Sequence, residues 1–512
     1  MKVLDKHKTI DVLFIAEGTY PYVRGGVSTW IHQIITGMPD LSFGVLFLGS
    51  REEDYGEIKY QLPENLVYLE NFYMFSETEL PPPHEREGSP EVYRLRAFFE
   101  EVERVPPELS DYFFYTERVT LEDVLYGRET WRMLEDLYQE RGITVPFVDY
   151  FWTMRNILVP LWIAVKGATS LLEKPIRLVH SPSTGYAGFL GSLLRKTRGL
   201  PFIVTEHGIY TRERKLDIMS ARWLKRLPRF LEKKYDVDDL RKLWIKFFEN
   251  LGKLTYELAL EVFSLYEGAR QVQIKLGCPP EKTRVIPNGV EVERYKPLRR
   301  TKGKPIPPVV ALIGRVTPIK DVKTFIKAMK VLVDKMPQAE GWVVGPEDED
   351  PAYAQECRAL VKALKLEGKV KFLGFKKLTE VFPRIGLTTL TSISEGMPMV
   401  VLESFAAGVP CVTTDVGSCR QLIYGGLNEE DKALGKAGEV VNVADFKALA
   451  ENYRKFLSDE TLWWSASEVA VKRVERFYTF EQFIRNYRGV YEKYLSEGGE
   501  AWQASALSSA KS

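Results

Sequence analysis

Two glutamates separated by seven residues lie in a short polar loop and in the helix predicted to follow it. Glu395 belongs to the loop SISEGMP, and Glu403 lies about one turn into the segment MVVLESFAAG. A buried carboxylate is costly unless it accepts hydrogen bonds, and sugar hydroxyls are suitable donors. The loop also delivers a helix N-terminus just past a buried strand, which is an arrangement that binds anions. The stretch 387–415 therefore predicts a site for a nucleotide diphosphate sugar. A structural pairing or capping role is the alternative for Glu403.

Two cations in a second loop, GRVTPIKD, fit the same ligand. Arg315 lies just past the predicted strand VVALIG, and Lys320 lies just before an amphipathic helix. Arginine supplies a planar fork and lysine a movable point charge, so both are expected to reach one anion. Surface solubility is the alternative interpretation. Their position at the carboxyl end of a strand favours ligand binding, because open α/β sheets bind ligands there.

The N-terminal half offers glycines and histidines at comparable places. The strand IDVLFIA is followed by a loop with Gly25 and Gly26, and then by a helix expected to run from Ser28, as its N-cap, to about Gly37. The two glycines are candidates for close backbone approach to a phosphate or sugar, or they merely form a turn. His180 and His207 end two further predicted strands, PIRLVHSP and LPFIVTEHG.

The elements that position these residues form two β/α halves. Strand, glycine loop and helix open a doubly wound α/β domain, and a second β/α series follows the basic, proline-containing linker at 298–308. We expect helical insertions at about 51–150 and 209–250 of the first domain. The predicted limits are 1–297 and 298–478 for the domains, 479–496 for a final helix that crosses back to the first domain, and 497–512 for a disordered tail.

Composition excludes several classes of protein. The 512 residues have a net charge of +1, so no basic field indicates a nucleic-acid partner. The four cysteines form no CxxC pair, which predicts reduced cytosolic thiols rather than a zinc ribbon or disulfides. No uncharged apolar run reaches the ~18 residues of a transmembrane helix. Basic and apolar residues alternate at 222–234, which indicates either a membrane-surface helix or, as we favour, the solvated face of a packed helix.

The combined motifs resemble a known family. The Gly-Gly loop, TEHG, IPNGVE, GRVTPIKD and SEGMPMVVLESFAAGVPCVTTD are similar to the retaining glycosyltransferases of family four. This resemblance implies the GT-B fold, in which two Rossmann-like doubly wound domains face each other across a cleft. Within the family, GTYPYVRGGVSTW, HGIYTRER and VGPEDEDPAYAQEC resemble the glycosyltransferases of Pel exopolysaccharide synthesis, the PelF type.

The resemblance implies a role for each candidate residue. Arg315 and Lys320 would bind the donor diphosphate, and Glu403 would bind the ribose. Glu395 and His207 would act at the donor sugar as catalytic residues. The backbone would contact the donor at Gly25, Gly26, Gly396, Met397, Val400, Val401 and Leu402. Two positions depart from the family pattern: Arg24 replaces a lysine found in starch and glycogen synthases, and Asp321 replaces a common glycine.

The implied reaction extends a polysaccharide with sugar from a UDP-sugar, which the resemblance implies is UDP-glucose. It would proceed with retention of configuration and without a cofactor or metal. The enzyme would act in the cytoplasm, peripherally at the inner membrane, with a carbohydrate acceptor and membrane-embedded synthase subunits as its partners. Two alternatives stay open. One is a GT-B nucleotide-sugar epimerase, and the other is a non-catalytic nucleotide-sugar-binding component of a synthase.

Overall fold

The computed structural model describes residues 8–75, 81–211, 213 and 239–496. The chain divides into two compact units. The first unit comprises 1–264, 270–284 and 487–512, and the second comprises 265–269 and 285–486. Residues 285–297, assigned from the sequence to the first domain, therefore belong to the second unit. The basic stretch 222–234 and the tail at 497–512 lie outside the described residues.

The first unit contains a seven-stranded sheet in the order β3-β2-β1-β4-β5-β6-β7. Every neighbouring pair from β3 through β6 is parallel. The chain reverses its direction of travel across the sheet between β1 and β4, which makes that position a topological switch point. The strands are β1 (Ile10–Glu17), β2 (Phe43–Gly49), β3 (Leu66–Tyr73), β4 (Ile176–Ser181), β5 (Phe202–Glu206), β6 (Glu261–Ser264) and β7 (Thr283–Val285).

The helices of the N-terminal half differ from expectation at two places. The first helix begins at Gly26, and Ser28 is buried inside it; the prediction of Ser28 as the N-cap was wrong. The strand β3 lies within a stretch for which only helices and loops were expected. The helices are α1 (Gly26–Gly37), α2 (Leu121–Tyr126), α3 (Arg128–Glu140), α4 (Phe147–Leu171), α5 (Tyr186–Arg198), α6 (Asp239–Leu258) and α7 (Glu267–Lys275).

The second unit repeats the same winding with six strands. Its order is β10-β9-β8-β11-β12-β13, all parallel, with the switch point between β8 and β11. Six strands in the order 3-2-1-4-5-6 are the Rossmann arrangement. The strands are β8 (Val309–Ile313), β9 (Glu340–Val344), β10 (Val370–Gly374), β11 (Leu387–Leu390), β12 (Cys411–Thr414) and β13 (Gly438–Val441).

Ten α-helices accompany the described part of the C-terminal half. The last helix begins in the second unit, while its residues from Tyr487 onward belong to the first. The helices are α8 (Val292–Tyr295), α9 (Val322–Lys335), α10 (Pro351–Ala363), α11 (Leu378–Val381), α12 (Met399–Ala406), α13 (Cys419–Tyr424), α14 (Glu429–Ala433), α15 (Phe446–Ser458), α16 (Glu460–Phe477) and α17 (Phe480–Ser496).

Burial explains why most strands can be recognised directly in the sequence. All seven residues of β2, FGVLFLG, are buried, and a parallel strand covered on both faces needs such a continuous apolar run. The second sheet has a separate apolar cluster on each of its two faces, so helices cover both. Among the described residues, no helix has the length and apolar character needed to span a bilayer.

Candidate functional site

The switch point of the second sheet brings two loops together. The loop after β8 begins at Gly314, and the loop after the neighbouring β11 runs from Thr391 to Pro398. The end of β9 approaches so closely that a Cβ on Gly345 would lie 2.0 Å from the Gly314 carbonyl oxygen. Glycine is therefore required at position 345, where φ is also +155°. This edge is where open α/β sheets bind their ligands.

Lys320 and Glu395 form an ion pair across these two loops. Ser392 Oγ donates to the same carboxylate oxygen, Glu395 Oε1, at 2.6 Å. The backbone is tied as well, because Thr391 Oγ1 donates to the Lys320 carbonyl at 2.8 Å. The Lys320 and Glu395 side chains are 22% and 13% exposed. The pair is therefore shielded from solvent more than a surface ion pair, and its charges interact more strongly.

The backbone that follows Lys320 explains one departure from the family pattern. Asp321 has φ +43° and ψ +53°, the left-handed region that glycine enters at no cost and aspartate more readily than most residues. Its side chain also accepts a hydrogen bond from Thr324 N at 3.3 Å and so caps α9. Aspartate thus serves both the turn and the helix start.

Arg315 lies in the same loop but has a different partner. Its guanidinium pairs with Glu349, in the loop after β9, and both side chains are about half exposed. Exposed pairs of this kind contribute about 0–1 kcal/mol. The structure therefore does not bring Arg315 and Lys320 to one carboxylate, and their common role at a diphosphate stays a prediction.

The start of α12 places the remaining backbone candidates beside Glu395. The Gly396 carbonyl accepts from Ser418 N at 2.9 Å, and Met397 Sδ accepts from Asn288 N at 3.3 Å. Pro398 occupies the N-cap position of α12. The amides of the first turn, which includes Val400, lack an i−4 carbonyl within the helix, as at any helix start. The side chains of Val401 and Leu402 are buried in the core, so only their backbone is available to a ligand.

Glu403 is half-buried on α12, and Tyr295 of α8 lies against it. The Tyr295 hydroxyl donates to Glu403 Oε1 at 3.0 Å. Burial raises the pKa of Glu403, whereas the Tyr295 hydrogen bond and the charge of Arg294 lower it. The carboxylate therefore has a structural partner, and its second oxygen, Oε2, has no hydrogen-bond partner among the residues that the structure describes.

Gly25 and Gly26 lie at the corresponding edge of the first unit, at the start of α1. Gly25 has φ 178°, an extended conformation that any residue adopts. A Cβ at either position would meet no atom within 4 Å. Neither conformation nor packing within the described residues therefore requires glycine there, which leaves room for close approach by a ligand.

His207 follows directly after β5 and packs edge-on against Trp30, with ring centroids 4.7 Å apart. The residue is half-buried, but its Nε2 is shielded from solvent and has no hydrogen-bond partner among the described residues. Burial lowers the pKa of His207 to about 3. The imidazole is therefore neutral at physiological pH, so it can act through a hydrogen bond but not as a standing cation.

His180, the other strand-end histidine, is wholly occupied. It is fully buried, with Nδ1 2.9 Å from the Tyr491 hydroxyl and Nε2 2.8 Å from Thr205 Oγ1. Burial and the nearby His207 lower its pKa to about 3. Its two hydrogen bonds give it a structural role between β4, β5 and α17.

Sequence reasoning missed two carboxylates at this edge. Glu17, the last residue of β1, accepts from the Tyr210 hydroxyl at 2.5 Å and from Ala187 N at 3.1 Å. Glu206, the last residue of β5, is buried and accepts from Tyr256 at 2.6 Å and Gln273 at 3.0 Å. An acidic residue that ends an apolar strand was the available signal, because an unpaired carboxylate is rarely buried.

Comparison with known proteins defines the class. Residues 296–473, within the second unit, match the model of glycosyl transferases group 1. Anabaena HepE in complex with UDP is similar in structure, with a TM-score of 0.58 at 16% identity over 94% of this chain and 99% of that one. Sucrose-phosphate synthase from Thermosynechococcus elongatus gives 0.57 at 15% identity over 95% and 99%. A glycosyltransferase from Rickettsia africae gives 0.56 at 14% identity over 96% and 100%. The predicted GT-B fold is confirmed, and the chain is a glycosyltransferase with a group 1 domain.

A second family model matches the N-terminal half. Residues 10–281, more than half of the 512, match the model described as "Domain of unknown function (DUF3492)". The chain therefore belongs to the DUF3492 family. No curated protein matches the sequence significantly.

Proposed function

We propose that the protein is a retaining glycosyltransferase that transfers glucose from UDP-glucose to a growing polysaccharide of the Pel type. The observation that carries the proposal is the meeting of Lys320, Glu395 and the start of α12 at the switch point of the second sheet. Two HepE structures, one in complex with UDP and one with UDP-glucose, support the choice of nucleotide. The Pel assignment and the glucose rest on the family resemblance.

In the proposed donor complex, the cations and helix amides bind the diphosphate, and the carboxylates bind the hydroxyl groups. Lys320, Arg315 and the first amides of α12 face the diphosphate, because they supply positive charge at a helix N-terminus. Glu395 and Glu403 accept hydroxyl hydrogen bonds, from the sugar and the ribose respectively. A phosphate that reaches Lys320 competes with Glu395, and the carboxylate that is displaced becomes free to accept from the sugar.

The proposed chemistry follows from the same charges. Breaking the bond between the anomeric carbon and phosphate places negative charge on the departing UDP and positive charge on the sugar. Lys320, Arg315 and the helix amides stabilise the former by preorganised electrostatics, which commonly contributes more to catalysis than any other single effect. These groups supply the positive charge themselves, so the proposal includes no metal. The roles of Gly25, Gly26 and His207, which belong to the first unit, stay predictions.

The acceptor and cellular setting of the proposal come from the resemblance alone. We place the enzyme in the cytoplasm, peripherally at the inner membrane beside membrane-embedded synthase subunits, with a carbohydrate acceptor. To test this part independently of the chemistry, the amount of the protein that co-purifies with detergent-solubilised membranes is compared between membranes that have and have not been washed with salt.

A UDP-release assay across a panel of nucleotide sugars tests the reaction. UDP-glucose with acceptor oligosaccharide is expected to give the highest rate, a product extended by one glucose, and no loss of rate with EDTA. An epimerase would form product without acceptor. A non-catalytic sensor would bind UDP-glucose by calorimetry and release no UDP. Linkage analysis identifies the acceptor position that is joined, and the NMR coupling of the new anomeric proton reads its configuration. Inversion would contradict the retaining assignment.

A further inference from the structure

Tyr295 is held rigidly against the carboxylate of Glu403. The tyrosine is 3% exposed, and its ring packs edge-on against Phe382 with centroids 5.7 Å apart. Its hydroxyl reaches Glu403 Oε1 at 3.0 Å, across 108 positions of sequence. A buried aromatic side chain has few alternative rotamers, so the direction of this hydroxyl is fixed by the core.

The hydrogen bond leaves the two carboxylate oxygens in different states. Oε1 is occupied by Tyr295, whereas Oε2 has no hydrogen-bond partner among the described residues. Oε2 is also absent from the shielded, unpartnered atoms found in those residues, so solvent reaches it. A half-buried carboxylate with one oxygen tethered and one accessible presents a single oriented acceptor.

We propose that Tyr295 is a positioning residue that aims Glu403 Oε2 at the vicinal hydroxyls of a ribonucleoside diphosphate. The inference rests on the proposed function, since it names a second residue behind the nucleotide contact. Without the phenolic hydroxyl, the carboxylate keeps its place on α12 but loses the partner that fixes its rotation. The cost is therefore expected in binding of the ribose hydroxyls and not in folding alone.

The surrounding charges support the same role. The Tyr295 hydroxyl and Arg294, its neighbour on α8, favour the ionised form of Glu403 against the effect of burial on its pKa. Burial, Glu403 and Glu291, which precedes α8, together raise the pKa of the Tyr295 phenol. Tyr295 therefore stays protonated as the donor. Its removal raises the pKa of Glu403 further, so the loss of binding as pH falls should begin at a higher pH.

The test compares two ligands in calorimetry with the full-length protein. The wild type and Tyr295→Phe are titrated with UDP and with 2′,3′-dideoxy-UDP, which lacks the hydroxyls. Loss of one hydrogen bond to a charged group predicts about ten- to hundredfold weaker binding of UDP by the variant. Binding of dideoxy-UDP should be unchanged. The acid limb of UDP binding should move to higher pH in the variant.

Tyr424→Phe is the matched control. Tyr424 also donates its hydroxyl to a half-buried carboxylate of the second unit, Glu439, but that carboxylate lies in β13, the strand at the edge of the sheet. This control should leave both affinities unchanged. If Tyr295→Phe is destabilised, the titrations are run at a temperature at which circular dichroism shows it folded. The double variant with Glu403→Gln should then bind UDP no more weakly than Glu403→Gln alone, because Tyr295 acts only through Glu403.

Each result supports or overturns the inference. Equal weakening of UDP and dideoxy-UDP would make Tyr295 a general support of α12 and overturn the inference, as would unchanged affinities. A wild type that binds both ligands equally would remove the ribose role of Glu403 and the inference with it. A wild type that binds neither ligand would overturn the proposed UDP donor, which is a separate failure.

Discussion

Replacing Lys320 by alanine removes one of the two side-chain cations proposed to face the donor diphosphate. The Lys320–Glu395 pair is only 22% and 13% exposed, so its charge acts in a medium less screened than bulk water. Loss of one such preorganised group lowers turnover by about 10²–10³-fold, or about 2.7–4 kcal/mol of transition-state stabilisation. We expect this loss for Lys320→Ala with UDP-glucose.

The substitution also has a cost in stability, which sets the conditions of the assay. Glu395 keeps the hydrogen bond from Ser392 at 2.6 Å but loses its cation. A shielded acceptor left short of partners costs about 1–3 kcal/mol. Circular dichroism should therefore establish that Lys320→Ala is folded at the assay temperature before its rate is interpreted.

Lys323→Ala is a control from the same segment. Lys323 lies on α9 and pairs with Glu356 of α10, and the Lys323 side chain is 36% exposed. We expect its turnover to stay within about twofold of wild type, because exposed pairs contribute little. The assay measures UDP released at saturating UDP-glucose and in a single turnover. A folded Lys320→Ala that turns over as fast as Lys323→Ala would refute the placement of the diphosphate.

Three further substitutions test other parts of the structure. The buried His180 has its pKa lowered to about 3, so it stays neutral in the folded state while the unfolded histidine protonates. Stability should therefore fall by about 2 kcal/mol between pH 7 and 5, and urea unfolding should show this loss reduced in His180→Gln. Arg473 is fully buried and forms an ion pair with Asp431 at 2.6 Å, so Asp431→Asn should lower the free energy of unfolding by about 3–5 kcal/mol. Calorimetry should show a sharply lower Tm, and a Tm near that of the wild type would contradict this account. Glu349→Gln frees Arg315 from an exposed pair, so the donor KM should fall about two- to threefold; a rise in KM would argue that Arg315 does not face phosphate.

The sheets were predictable because their strands are short apolar runs. Parallel strands covered on both faces need no polar alternation, so segments such as FGVLFLG and VVALI are recognisable from composition alone. The edge strand β3 was missed because LVYLENFY mixes polar and apolar residues, and most of it is only half-buried. The true start of α1 was missed because Ser28 is a good N-cap by type, yet its side chain is buried within the helix.

The sequence predicts which loops form the candidate site but not which side chains pair with each other there. The strand-end rule selects the loops that hold Arg315, Lys320 and Glu395 before any contact is known. The pairing of carboxylates with cations depends on which loops lie side by side in the folded chain. No local sequence pattern therefore predicts that Arg315 pairs with Glu349. The contact between Tyr295 and Glu403 likewise joins two helices distant in the chain.

The Lys320–Glu395 ion pair has a consequence for the end of the proposed reaction cycle. With the proposed roles, a UDP-sugar would give both members a new partner, phosphate for the lysine and sugar hydroxyls for the glutamate. After transfer, UDP would still satisfy the lysine, but the carboxylate would lose its donors and be drawn back to Lys320. Re-formation of the internal pair would then compete directly with the product for the same cation. The pair would thus favour departure of UDP and discriminate against nucleotides that carry no sugar.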